Sequence, residues 1–423
     1  MSSNEHEPMK KKSRRGKAKD PTLTEDKNPN LNLETEAINS PDSPLRKKHT
    51  SSSLSTYSSS CLLSEPGEDV ESSVFNSPPS SEDERKYPAS HWGYKDLAYI
   101  NIYYESEPET LDKFFKDVKD AFIKEKGFCP DISKISDILK KEVEEVLTFS
   151  YDLMEIKNVR KLDHKEKTVM KVKQEMKEIA ERANMREMPV ISDEKVFGPS
   201  LKKFVQKAVV MMDSTIIDFA KETSCLVRRL LFGVSSGEKE AREGKSRDGT
   251  GFRHYCELFG RIFFLLKGPI PERVFEFHGK KVRSTPDLVY HFDSGMSSEE
   301  LLFVVEAKQA PLTGDVTDIE ELVGKSVLGQ FGTELLGQSQ NSVFFPNALG
   351  VLCIKTKLIF AFLKISKKHS DGIHSGDRGT VEDAGKIMYT EPFDLLKAED
   401  RLKLAEFMLW LGIAQDSVKF QLF

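Results

Sequence analysis

An unbroken apolar run, Leu301–Val305 (LLFVV), constrains this chain more than any other stretch. A short run of this kind is typical of a β-strand that is buried on both faces. Glu306 and Lys308 follow it directly, and residues two positions apart in a strand project from the same face. The segment therefore predicts a buried strand over 301–309 that ends in two charged side chains.

A second predicted strand, at about 286–292, precedes this one, and the small polar residues around Gly295 form the turn between them. In an antiparallel pair, Asp287 lies opposite the charged end of the buried strand. Buried carboxylates are costly unless something neutralises them, and Mg²⁺ accepts carboxylate oxygens as ligands. The pattern predicts a cation site at Asp287 and Glu306. Lys308 would orient a water molecule or stabilise developing negative charge.

The two segments carry Pro286-Asp287 and Glu306-Ala307-Lys308, which together resemble the signature of the PD-(D/E)xK superfamily, the restriction-endonuclease-like nucleases. The resemblance covers roughly residues 250–368. It implies metal-dependent hydrolysis of nucleic acid, DNA in the first place, with Mg²⁺ or Mn²⁺ held by Asp287, Glu306 and the Ala307 carbonyl. It also implies an α/β core of one helix, three strands, a second helix and a strand pair in a mixed sheet.

Members of this superfamily often place an acidic residue in the helix that precedes the first core strand. Glu257 is the only carboxylate of the predicted helix 250–267, so the resemblance implies that it is a metal ligand. A structural ion pair with Arg253 or Arg261, each one helical turn away, is the alternative.

Members also often carry a glutamine in the second helix, directed at the active site. The predicted helix 318–340 contains Gln330, the first candidate for this role, and Gln338, the second. An ordinary polar position is the alternative for both. The four glycines of this segment weaken its intrinsic helicity, and they would allow close approach to the sheet.

Simpler explanations of the motif remain open. Asp287 follows a proline and suits a turn, while Glu306 and Lys308 suit the solvated end of a strand. A catalytically inactive protein that keeps a nuclease-like domain for nucleic-acid binding, or as a scaffold assembling through its helices, also fits the pattern.

Periodicity and turn residues predict the remaining elements around this motif. We predict a first core strand at 273–282, a hairpin formed by 348–354 and 357–365, a polar loop at 370–385 and a final amphipathic helix at 400–411.

Composition divides the chain into four parts. Residues 1–90 are rich in Ser, Pro and Lys and poor in large apolar residues, which predicts a disordered tail. A helical region at 91–232, a Gly-rich charged linker at 233–249 and the nuclease-like domain at 250–423 follow. The dense basic run at 10–19 suits a nuclear-import signal, a nucleic-acid-binding arm or a solvated tail.

Helical periodicity dominates 131–184 and 200–232. The apolar seam in the first segment is close to a heptad repeat but short, which favours a helical hairpin over an extended coiled coil. Self-association or a protein partner through these two segments is a further expectation.

Net charge and cysteine content limit the partners and the cellular compartment that we expect. The net charge is −5, so contact with nucleic acid would have to come from local basic patches. The five cysteines are scattered without metal-ligand or redox spacing, which favours an intracellular compartment. The basic run makes the nucleus a candidate location. No apolar run approaches the length of a membrane span, so we expect no membrane partner.

Overall fold

The computed structural model describes residues 87–187, 199–232, 250–270, 272–277, 280–293, 300–308, 319–375 and 383–416. All of these residues belong to one compact unit, Leu63–Phe423. The predicted disordered tail, its basic run and the predicted linker fall outside the described residues, apart from the last residues of the tail.

The strands of the described residues form two sheets. They are β1 (Tyr87–Pro88), β2 (Ile102–Tyr104), β3 (Arg273–Phe277), β4 (Lys280–Ser284), β5 (Leu288–Phe292), β6 (Glu300–Lys308), β7 (Ala348–Ile354), β8 (Lys357–Lys364), β9 (Gly385–Tyr389) and β10 (Phe393–Asp394). The main sheet has the order β2-β9-β8-β7-β6-β5, with β10 paired to β8, and the small sheet has the order β1-β4-β3. In the main sheet, β6–β7 and β2–β9 are parallel and the other pairs are antiparallel. The predicted mixed α/β class is therefore confirmed.

Helices cover both faces of the main sheet. They are α1 (Tyr94–Tyr99), α2 (Leu111–Lys126), α3 (Ser133–Val146), α4 (Leu153–Asn158), α5 (Leu162–Met185), α6 (Pro199–Phe232), α7 (Thr250–Ile262), α8 (Ile319–Val323), α9 (Lys325–Ser339), α10 (Lys367–Ser375) and α11 (Ala398–Gln415), with a 3₁₀ turn at Ala89–His91. Within the described ranges, no helix combines the length and the apolar character that crossing a membrane requires.

Strand β6 lies between β5 and β7 and separates two hydrophobic cores. Leu301 to Ala307 are all buried, as the apolar run predicts. Phe303 and Val305 belong to a core that also contains residues of α7 and α11, whereas Val304 belongs to a second core that contains residues of α9. Successive side chains of a strand point to opposite faces, so α7 and α9 lie on opposite sides of the sheet.

The predicted helix 318–340 is two helices in the structure. Gly324 adopts a φ of 87° between α8 and α9, a conformation that non-glycine residues rarely adopt. Most of α9 is buried, and a side chain at Gly329 would meet the backbone of Gly93 at 2.2 Å. Gly329 therefore permits close approach to the segment leading into α1. The expected approach to a sheet is found at Gly332, where a side chain would meet Ile387 of β9, and at Gly337, where it would meet Phe275 of β3.

Two predictions about the sheet region are wrong. Residues 273–282 are not one core strand, because they contain β3 and the first residues of β4, which pair with each other in antiparallel. Strand β4 also pairs with β1, and the three strands form the small sheet. Of the strands between α7 and α8, only β5 and β6 therefore belong to the main sheet. The predicted loop at 370–385 contains most of α10, and residues 376–382 lie outside the described residues. The predicted hairpin is confirmed as β7–β8. The final helix is confirmed too, and α11 is longer than predicted.

The helical region departs from its prediction in two respects, the first being that it contributes strand β2 to the main sheet. Residues 131–184 do not form a hairpin by themselves, because α5 packs along α6. Several apolar side chains of this pair are exposed, namely Leu162, Met170, Met185, Val210 and Met211. Self-association through this surface stays a prediction.

Candidate metal and catalytic site

The sequence pair Asp287 and Glu306-Ala307-Lys308 meets at one end of the main sheet. Leu288 at the start of β5 is opposite Val305 of β6, so the preceding residue, Asp287, comes next to Glu306. The Asp287 carboxylate accepts a hydrogen bond from the Ala307 backbone N–H, with Oδ2 2.8 Å from the nitrogen. This bond fixes the loop before β5 to the end of β6.

Glu306 is almost fully buried, with 3% of its surface exposed. Its Oε1 lies 2.6 Å from Lys308 Nζ and accepts a hydrogen bond of 2.8 Å from Gln330 Nε2. Burial and the nearby charge of Asp287 raise the pKa of Glu306, while Lys308 opposes the rise. The carboxylate is therefore held at an energetic cost that a closer or stronger cation would reduce.

Lys308 ends β6 and projects from the same face as Glu306. Partial burial by itself would lower the pKa of Lys308, but the charges of Glu306, Glu334 and Asp287 outweigh it and raise the pKa above its ordinary value. Lys308 is accordingly a stable ammonium group, which suits a donor to a negatively charged oxygen and not a proton-accepting base.

Gln330 joins Glu306 to a residue that the sequence analysis missed, Glu334. Gln330 Nε2 donates a second hydrogen bond, of 3.0 Å, to Glu334 Oε1. Glu334 is 1% exposed, and its Oε2 has no hydrogen-bond partner. Burial and the charge of Glu306 raise the pKa of Glu334 well above its ordinary value. The signal for Glu334 is its spacing, because a residue four positions after Gln330 lies on the same helical face.

Gln338, the second glutamine candidate, lies two helical turns beyond Gln330, roughly 12 Å along α9. Its side chain is fully buried, and neither polar atom has a hydrogen-bond partner in the structure described. The site contact is made by Gln330 and not by Gln338.

Glu257 lies on α7, on the other side of the sheet from α9. Its Oε2 is 2.8 Å from Lys267 Nζ and 3.8 Å from His254 Nδ1. The alternative that we had predicted, an ion pair with Arg253 or Arg261, is not the one found. Arg253 instead faces Asp287, with Nη1 3.7 Å from Oδ1. The role of Glu257 as a metal ligand stays a prediction.

Carboxylate oxygens dominate the site, and these are the donors that Mg²⁺ and Mn²⁺ prefer. Among the described residues, no three His, Cys, Asp or Glu side chains form a ready-made metal-binding group, and Lys308 is the cation beside Glu306. Glu334, whose side chain hydrogen-bonds Gln330 and Glu306, is a further buried carboxylate beside them. The donor atoms present are therefore of the chemical type that hard divalent cations take.

Comparisons of the chain with protein-family models, with curated proteins and with solved structures found no match. The geometry of the chain itself is the basis for inferring its function.

Proposed function

We propose that this protein is a metal-dependent phosphodiesterase that hydrolyses nucleic acid, with DNA as the first substrate to test. The observation that carries the proposal is the contact between the Asp287 loop and the end of β6, where Asp287, Glu306 and Lys308 meet. The core would be of the restriction-endonuclease type, and three features support this. Strand β5 is antiparallel to β6, β6 is parallel to β7, and α8 and α9 connect β6 with β7.

Asp287 and Glu306 would hold Mg²⁺ or Mn²⁺, with the Ala307 carbonyl as a further predicted ligand. Such an ion polarises a phosphate oxygen and lowers the pKa of a bound water. Lys308 supplies a fixed positive charge beside the reacting phosphate and donates hydrogen bonds to the oxygens on which negative charge develops. Gln330 holds Glu306 in place through its amide N–H group.

Cleavage of labelled single- and double-stranded DNA and RNA, with Mg²⁺ or Mn²⁺, tests the proposal. We expect the wild-type protein to cut. We expect Asp287→Asn and Lys308→Met each to lower the rate by about 10²–10³-fold, the usual cost of losing one electrostatic group in an active site. The matched control is Lys126→Met. Lys126 pairs with Glu300 at the opposite end of the same strand, with Nζ 2.5 Å from Oε2, so this variant should cut at the wild-type rate.

Circular dichroism would show that each variant is folded before its rate is compared. If Lys308→Met cuts as fast as Lys126→Met, the catalytic assignment is wrong. If the wild-type protein cuts no substrate with either metal but binds nucleic acid, and Asp287→Asn binds equally well, the protein is a non-catalytic binding module.

A further inference from the structure

The first turns of α7 lie at the end of the main sheet that carries the candidate site. Arg253 Nη1 is 3.7 Å from Asp287 Oδ1, and the Phe252 carbonyl oxygen is 4.0 Å from Cys353 Sγ. Cys353 is the partner of Ala307 in the β6–β7 ladder. Two separate contacts therefore place the start of α7 beside the charged end of β6.

Arg253 brings a positive charge to this end of the sheet from the side opposite Lys308. Side chains alternate along a strand, so Lys308 projects to the same side as Val304, whose core contains residues of α9. Arg253 belongs to α7, on the other side. The two proposed metal ligands, Asp287 and Glu306, consequently have a cationic side chain on each side of the sheet.

The contact between Arg253 and Asp287 is loose. A distance of 3.7 Å is too long for a hydrogen bond, and 37% of the Arg253 side chain is exposed. Within the described part of the chain, the guanidinium group makes no hydrogen bond. In contrast, Arg186 Nη2 lies 2.6 Å from Asp213 Oδ1 in the helical region. The N–H donors of Arg253 are therefore accessible to a ligand that approaches the site.

Stabilisation of the helix does not explain an arginine in this place. Arg253 is the fourth residue of α7, and a cation in the first turn of a helix is opposed by the positive end of the helix dipole. A partly exposed ion pair also contributes little to stability. The position of Arg253 is better explained by an anion that binds at the site.

We propose that Arg253 binds a phosphate group of the nucleic-acid backbone next to the metal held by Asp287 and Glu306. This inference rests on the proposed function, which names the metal ligands and Lys308 but no residue for the substrate backbone. A guanidinium group donates two parallel N–H bonds to phosphate oxygens. A divalent cation at Asp287 would repel the guanidinium group, and Arg253 then turns from the carboxylate to the phosphate.

Fluorescence anisotropy of a labelled DNA duplex, and of a labelled RNA of the same sequence, measures this role without cleavage. Every protein in the titration carries Lys308→Met, so that the substrate stays largely intact with Mn²⁺ present. We expect Arg253→Ala to bind about 10-fold more weakly and to reduce the salt dependence by about one released counterion. Arg253→Lys keeps the charge, so it should keep the salt dependence and regain only part of the affinity.

Arg261→Ala is the matched control. Arg261 is an exposed arginine of the same helix, eight residues further on and roughly 12 Å along its axis. This variant should bind as tightly as the protein with both arginines. In the chain that keeps Lys308, we also measure cleavage, where Arg253→Ala should raise KM about 10-fold and Arg261→Ala should leave it unchanged.

The outcomes separate this inference from the proposed function. If the wild-type protein cuts and Arg253→Ala matches Arg261→Ala in affinity and KM, the role of Arg253 is wrong and the proposed function stands. A fall in kcat with unchanged KM and salt dependence would mean that Arg253 only orients Asp287, which also overturns the inference. If the protein binds nucleic acid through Arg253 but never cuts, only the proposed function fails. A protein that neither binds nor cuts nucleic acid overturns both.

Discussion

Two clusters in this protein have the same composition, two carboxylates and one cationic side chain, but they are arranged differently. In the bundle triad (Glu142, Asp213 and Arg186), the arginine reaches both acids, with Nη1 3.1 Å from Glu142 Oε2 and Nη2 2.6 Å from Asp213 Oδ1. In the site triad (Glu306, Glu334 and Lys308), the short contact of the lysine is with Glu306 alone, at 2.6 Å.

The difference shows which buried acids of the chain have a cationic partner and which do not. A guanidinium group is a planar fork that can serve two carboxylates at once, so the bundle triad is a completed link between α3, α6 and the end of α5. The two acids of the site triad are more deeply buried than those of the bundle triad, and Asp287 is an additional acid beside Glu306. Perturbed acids in such a place are typical of functional sites.

Removing the cationic residue from each triad should give the largest effect. Without metal, we expect Lys308→Met and Arg186→Met each to lower the free energy of unfolding by about 3 kcal/mol, because each leaves buried carboxylates unpaired. Saturating Mn²⁺ should restore most of the loss in Lys308→Met, where Asp287 and Glu306 are the proposed metal ligands, and little of it in Arg186→Met. Urea unfolding with and without Mn²⁺ measures both.

Equal rescue of the two variants would remove the distinction between the triads, since any acidic pair would then bind Mn²⁺. A wild-type protein that is stabilised by Mn²⁺, together with a Lys308→Met variant that is not, would show that Lys308 helps to hold the metal site and does not substitute for a cation.

Removing one acid from each triad should give a smaller effect. The pKa of Glu334 is raised well above its ordinary value, so its contribution to stability is present below the pKa of the unfolded chain and is lost as pH rises through the folded value. Glu334→Gln imitates the protonated form. We expect it to raise the metal-free unfolding free energy at neutral pH by about 2 kcal/mol.

For Glu142→Gln we expect a change below about 1 kcal/mol, because Glu142 is less buried and retains Arg186 as a partner. Both expectations are tested by measuring the free energy of unfolding of Glu334→Gln and Glu142→Gln at neutral pH and at about pH 4. The stability gained by Glu334→Gln should be smaller at the lower pH. A destabilising Glu334→Gln at neutral pH would mean that the ionised acid is satisfied in the folded chain.

The elements that sequence patterns predicted well are those with strong local signals. The apolar run at Leu301–Val305 and the alternating or apolar stretches beside it gave β5, β6, β7 and β8 within a few residues. The pairing of β2 with β9 and the packing of the Gly93 segment on α9 depend on contacts between distant parts of the chain. Short segments with weak patterns carry no local signal for such contacts.

Prediction of the site residues from the sequence is limited in the same way. Asp287 and Glu306 came from their positions at the ends of two neighbouring strands, which a pairing rule brings together. Glu334 lies in a glycine-rich helix, where a single acidic residue forms no recognisable motif. Its importance depends on burial and on its shared contact with Gln330, and neither can be read from spacing alone.

The pH dependence of the bundle triad should give the smallest effect and is the finest test of the comparison. Burial raises the pKa of Asp213 to about 6, although Arg186 opposes the rise. Stability from this group is therefore present below the unfolded value and lost as pH rises through about 6. Between about pH 4 and pH 7, we expect the wild-type protein to lose on the order of 1 kcal/mol relative to Asp213→Asn, after allowance for solvent screening. Urea unfolding at each pH measures the difference. If the difference in unfolding free energy between the wild-type protein and Asp213→Asn does not change with pH, Arg186 keeps Asp213 fully ionised. The bundle triad would then be fully neutralised, in contrast to the site triad.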